Sequence, residues 1–188
     1  NSAIEDSFER ASIPSNINDV FFGKYRFHGD QENYFNPENS FLNKVIENRK
    51  GNPISLSILY SVMAQKLYLP ILGVNLPKHF VLAYKDDQAL ENNESFNNLG
   101  VIHGNREGET RCYSNAFNNG AVFSKYNIDR FLGDSKLPTE EHFYEPCSNV
   151  VIILRVLRNL INSYSKLNDN LRTAQVTELH DYLAQLEN

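Results

Sequence analysis

The stretch Arg49-Lys50-Gly51-Asn52-Pro53-Ile54-Ser55-Leu56 decides how this chain is read. Asparagine at a helix N-cap followed by proline at the first helical position starts a helix for a physical reason. The asparagine side chain accepts from a first-turn N–H, and the proline ring lacks the N–H that would go unpaired. Downstream, Ile54, Leu56, Ile58, Leu59, Val62, Met63 and Leu67 are apolar on more than one side of the helix, which predicts deep burial until Pro70 stops it. The same device stands just upstream at Asn36-Pro37-Glu38-Asn39. There Phe41, Leu42, Val45 and Ile46 recur at helical spacing, predicting a helix that Gly51 ends.

Working outward, residues 1–35 alternate polar and aromatic. Ile4 and Phe8 predict a short helix ended by Pro14, then an irregular lead-in through Phe21, Phe22 and Tyr25. Beyond Pro70 the period becomes two, so 69–75 and 79–84 read as strands joined by a turn at 76–78. Residues 85–98 are acidic and asparagine-rich, an exposed loop. Strand signals resume at 99–103 and 111–117, with a turn at 104–110 between them. Asn118-Asn119-Gly120 is a hairpin signal before a short strand 121–123. Ser124 caps a helix carrying Ile128, Phe131 and Leu132, and Ser148 caps one running to 167, followed by another over 170–186. Helices, then a meander, then helices give an α+β fold. No 20–50-residue period repeats, so a solenoid is not supported. The expected organisation is one structural domain, with a core and lead-in over 1–135 and a C-terminal helical hairpin over 136–188 packed on it.

A chain of 188 residues suits one core, and 41% hydrophobic with 22% charged residues excludes the disordered and fibrous classes. The net charge of −5 argues against a basic nucleic-acid face or a polybasic membrane anchor, and nothing in the composition points to phosphate binding. The longest apolar run, 150–154, is broken by Arg155 and Arg158 and falls far short of the roughly 20 residues a spanning helix needs. No signal peptide is visible, although the chain opens at Asn1 rather than methionine. Cys112 and Cys147 lack CxxC spacing and read as reduced core thiols, which predicts a soluble cytoplasmic protein.

Three polar points carry potential chemistry: the helix start at Pro53, His79 opening a strand, and Asn115 in a later strand. Singly, His79 reads as a strand-end histidine satisfied by backbone, and Asn115 as turn chemistry. Their order is that of papain-type thiol enzymes. In those, the helix dipole lowers a thiol pKa, a histidine takes the proton, and Asn or Asp orients the imidazole.

Four motifs in order carry a resemblance. They are Tyr34-Phe35-Asn36-Pro37-Glu38-Asn39-Ser40-Phe41-Leu42, the opening stretch through Leu56, Gly73-Val74-Asn75-Leu76-Pro77-Lys78-His79-Phe80, and Arg155-Val156-Leu157-Arg158-Asn159-Leu160. Over most of residues 20–165 the chain resembles the bacterial transglutaminase-like family of the SirB type, whose members often carry helical repeats around the core. The resemblance implies a papain-like core: a buried N-terminal helix, an antiparallel sheet and a C-terminal helical hairpin.

Carried over residue by residue, the nucleophilic cysteine falls on Pro53, the base on His79 and the orienting residue on Asn115. Proline offers no nucleophile. Ser55 is turned away from the base, Ser57 is buried, Cys112 lies on the opposite strand face, and Cys147 is outside the motif. The cleft-lining set is Asn52, Ser55, Asn75, Tyr113 and Phe117, with Tyr113 and Phe117 sharing the strand face of Asn115. Several asparagines, among them Asn36, Asn39 and Asn52, read as clamps between loops, and Arg155 and Arg158 as partners of an acidic core face.

The resemblance therefore implies a catalytically impaired protein that binds or scaffolds a protein or peptide, without cofactor, nucleic acid or membrane. The alternative is an amide or ester hydrolase using His79 and Asn115 with a non-cysteine nucleophile. A metal site on His79 with His28, His103 or His142 has no ligand spacing to support it.

Overall fold

Residues 16–85 and 110–186 are described by the computed structural model. A π-helical turn, Asp19–Lys24, leads to strand β1 (His28–Gly29), a 3-10 turn Pro37–Ser40, helix α1 (Leu42–Asn48) and strand β2 (Lys50–Gly51). Helix α2 (Pro53–Lys66) follows, then strands β3 (Ile71–Leu76), β4 (His79–Lys85), β5 (Thr110–Asn115) and β6 (Ala121–Phe123). Helices α3 (Lys125–Asp134), α4 (Asn149–Lys166) and α5 (Asn170–Gln185) complete the chain. Strands β3 to β6 form an antiparallel sheet in chain order, while β1 and β2 pair in parallel, Gly29 opposite Gly51. The α+β class expected from the sequence is the class observed.

Helix α2 starts as its sequence dictates. Asn52 Oδ1 accepts from the Ser55 N–H at 3.0 Å, and the Asn52 N–H donates to Ser55 Oγ at 3.1 Å, a reciprocal capping box. Its apolar residues then divide between two neighbours. Leu56 and Tyr60 pack with Leu82 and Tyr84 of β4, and Ile54 packs with Phe80 of β4 and Ile152 of α4. Alternation sends the other β4 side chains to the opposite face. There Val81 and Ala83 join Val74, Leu76 and Tyr113 beneath Ile128 and Leu132 of α3. The sheet is thus held between α2 and α3. Helix α4 buries Ile152, Leu157, Leu160 and Tyr164, and α5 packs along it with no buried residue of its own.

Several expectations are corrected. The helix expected from 36 to 51 is split: Phe41 is extended (φ −94, ψ 111) between the 3-10 turn and α1. Tertiary tethers cause this, because buried Asn39 donates to the Asn33 carbonyl at 2.9 Å and buried Ser40 accepts from Asn52 Nδ2 at 2.9 Å. Left-handed Arg49 (φ 59) ends α1, not Gly51, which lies in β2, where a Cβ would come within 2.7 Å of Ser55 Oγ. Phe41, Leu42 and Ile46 are exposed, leaving only Val45 buried in α1.

The lead-in is not irregular. Its π-helical turn buries Phe21, which stacks on Phe27 at 4.4 Å and meets the Tyr60 ring at 5.4 Å. Lys85 belongs to β4 rather than a loop, and its buried ammonium lies 2.8 Å from Glu145. Strand β5 stops at Asn115, and Ala116–Asn118 form a 3-10 turn. The helix expected before Pro14, most of the loop expected at 85–98, the strand at 99–103 and the turn up to 109 lie outside the described residues.

Candidate functional site

Pro53 occupies the first turn of α2, half-buried, and the serine hydroxyls that follow it at 55 and 57 are already engaged. Ser55 Oγ is closed into the capping box and donates to the Asn52 carbonyl at 3.2 Å, and Ser57 Oγ donates to the Pro53 carbonyl at 2.7 Å. Both serines are fully buried. Asn52 acts as a clamp between this helix start and Ser40, as the sequence reading of the asparagines anticipated.

His79 opens β4 on the face shared with Val81 and Ala83, and its ring meets Phe131 of α3 edge-on at 4.6 Å. Pro53 and α2 belong to the other face. Leu82 pairs with Ser114 and Ala83 with Tyr113, so continuing the register brings Asn115 level with Val81, two residues from His79. Asn115 Oδ1 is occupied by the Phe117 N–H at 3.0 Å. Among the described residues no hydrogen bond joins His79 to Asn115. Pro53 thus belongs to the α2 side of the sheet, while His79 and Asn115 share the α3 side, two residues apart in register. The His79 imidazole has a pKa below the ordinary histidine value, first through desolvation and then through the charges of Arg155 and Lys78, so it is neutral at pH 7.

Tyr113 is buried on the α3 side, its hydroxyl donating to the Tyr144 carbonyl at 3.0 Å. Phe117 has left the strand for the 3-10 turn, and its ring sits so close to Gly29 that a Cβ there would come within 2.5 Å. The two do not wall one cleft, because β5 ends before Phe117. Cys112 packs on the α2 side, and the Cys147 thiol donates to the Gly73 carbonyl at 3.4 Å; neither is in a disulfide. Among the described residues no group of three His, Cys, Asp or Glu side chains could hold a metal ion, and no helix is long and apolar enough to cross a membrane.

The described recess is elsewhere, a cavity of about 320 Å³ beneath α4. One wall is a helical stripe, Arg155, Arg158, Asn159, Asn162 and Ser163, at positions i, i+3, i+4, i+7 and i+8. Tyr34 and Phe35 form an aromatic side, while Asn52 and Lys78 close the remainder. Of the expected cleft set only Asn52 lines it. Asn75 contributes indirectly, accepting from Arg155 Nη1 at 3.2 Å, while Ser55, Tyr113 and Phe117 are not part of it.

Among the described residues no carboxylate makes an ion pair with Arg155, Arg158 or Lys78. Arg155 instead braces the β3–β4 turn through Asn75 and the Leu76 carbonyl. Burial, and then Arg158, lower its pKa from the usual guanidinium value. Sequence reasoning missed this recess, although its signal was present: a polar stripe at the spacing where a helix normally places its core face.

The model of the transglutaminase-like superfamily matches residues 3–158, and the chain belongs to that superfamily. A UPF0162 protein of Xylella fastidiosa (strain 9a5c) is 30% identical over 162 residues, covering 86% of this chain and 52% of that protein. A UPF0162 protein of Vibrio cholerae is 30% identical over 119 residues, 63% of this chain and 36% of the relative. Human F-box only protein 21 is 37% identical over 68 residues, 36% of this chain and 11% of that protein. The chain thus spans about half or less of the length of these relatives. No solved structure matches it.

Proposed function

We propose that this protein is a non-catalytic member of its superfamily, a binding module that holds a protein or peptide partner in the recess beneath α4. The observation that carries the reading is Pro53 at the buried helix start, with His79 on the far face of the sheet. Acyl transfer needs a nucleophile within hydrogen-bond reach of its base, and a proline at this helix start with His79 against Phe131 supports the loss of that chemistry. The recess supports the binding half: it is concave, aromatic on one side, polar on the other, and at the lower end of small-ligand pocket sizes. The reading treats residues 1–135 and the hairpin of 136–188 as one structural unit, since the recess needs walls from both. It places the protein in the cytoplasm, where thiols such as Cys112 and Cys147 stay reduced.

The test has two arms. Hydrolysis of an activated ester and amine transfer to a glutamine peptide are measured for the wild type and His79→Ala, with no rate above background expected for either. Partner capture is measured for the wild type and Arg158→Glu, with capture expected to be lost in the variant. A hydrolytic rate that vanishes in His79→Ala would overturn the reading in favour of a hydrolase using His79, whose exposed, neutral imidazole suits a general base.

A further inference from the structure

We infer that the recess beneath α4 recognises a carboxylate on an acidic peptide segment, with Lys78, Arg155 and Arg158 as its cationic clamp. This rests on the reading of the recess as a binding site and adds the chemistry of what enters it. Three cations converge on one cavity, and among the described residues no carboxylate lines it. Arg155 and Arg158 are neighbours on one helix face, so they repel, and the partial burial of Arg155 withholds the water that would screen them. An anion between them relieves both penalties.

Arg155 is poised for this role. A guanidinium has five N–H donors, and the contacts to Asn75 and Leu76 use Nη1, fixing the side chain; among the described residues Nε and Nη2 have no hydrogen-bond partner and face a ligand unengaged. Charge-assisted bonds from arginine to carboxylate are the strong, directional kind.

Volume and lining argue for more than a bare ion. A cavity of about 320 Å³ exceeds a single carboxylate and accommodates one or two residues of chain. Asn159 and Asn162 each offer a donor and an acceptor, which complement peptide groups, and Tyr34 and Phe35 provide an apolar surface for an aliphatic stem. The net charge of −5 conceals this local reversal of sign.

The experiment is fluorescence polarisation of the full chain with a labelled tri-glutamate peptide, alongside tri-glutamine and tri-lysine peptides as controls. Tri-glutamate is expected to bind alone of the three, and to weaken as salt rises from about 50 to about 500 mM. The double variant Lys78→Gln/Arg158→Gln is expected to weaken it by about tenfold or more. Both side chains are exposed, so the variant retains its fold, checked by circular dichroism. Inorganic phosphate and glutarate serve as competitors. If either displaces the peptide at concentrations where the peptide itself saturates, the ligand is a free small anion and the peptide assignment fails. If tri-glutamate does not bind, or binds the variant equally, the carboxylate inference falls, while a partner captured by the wild type and lost in Arg158→Glu would leave the binding-module reading standing. Tri-glutamate binding without any captured partner would have the reverse meaning.

Discussion

Asn52 ties the start of α2 to the segment before it, so its removal tests a tertiary clamp as well as a cap. In Asn52→Ala the Ser55 N–H and the Ser40 hydroxyl both lose a buried partner. The expected cost is about 2 kcal/mol, read as a lower urea midpoint with unchanged slope. Asn52→Asp keeps the acceptor for Ser55 and should cost less. One residue on, Pro53→Cys restores the missing atom without restoring the site. A thiol at a helix N-terminus has a lowered pKa, so it should alkylate faster than Cys112 or Cys147. No ester turnover is expected, because His79 faces Phe131. For His79 itself the sign is set by its depressed pKa. The unfolded chain takes up the proton first as pH falls through the ordinary histidine range, so this residue makes stability decline below about pH 6.5. His79→Gln should flatten that part of a stability profile recorded between pH 7 and pH 5.

At the scale of elements, the packing of β3 against β4 and α4 depends on a missing side chain. A Cβ on Gly73 would lie 2.6 Å from the Phe80 ring and 3.5 Å from Ile152. Gly73→Ala is expected to cost about 1–3 kcal/mol by overpacking, measured by thermal melting. What could be read in advance follows the same division between local and distant causes. Helices α2, α3 and α4 were legible because Asn52, Ser124 and Ser148 announce them with chemistry confined to one turn. The break at Phe41 was not, because it depends on where Asn33 and Asn52 hold Asn39 and Ser40. The parallel pair of β1 and β2 is two residues long and leaves no periodicity to detect. The triad order was legible, but the face of His79 turns on a register that shifts every side chain to the other side with one residue of slip. For the recess, the α4 stripe is visible in the sequence, yet Lys78 and Asn52 reach it from remote segments.

On the scale of the whole molecule, the recess is a seam. One wall is α4; the others belong to the lead-in, the start of α2 and the β3–β4 turn. Helix α4 is anchored across that seam by Ile152 against Ile54 and Phe80, and by Arg155 on Asn75. A ligand gripped from both sides is therefore a fastener for the helical hairpin. If α4 and α5 open as a local unit, ligand at about 100 times its Kd adds about 2.7 kcal/mol to closing them. Amide hydrogens of α4 would then exchange with deuterium about a hundredfold more slowly, while those of α3, on the far side of the sheet, keep their rates. Whether the terminal helices sit closed or ajar would then report how much of its partner the protein has found.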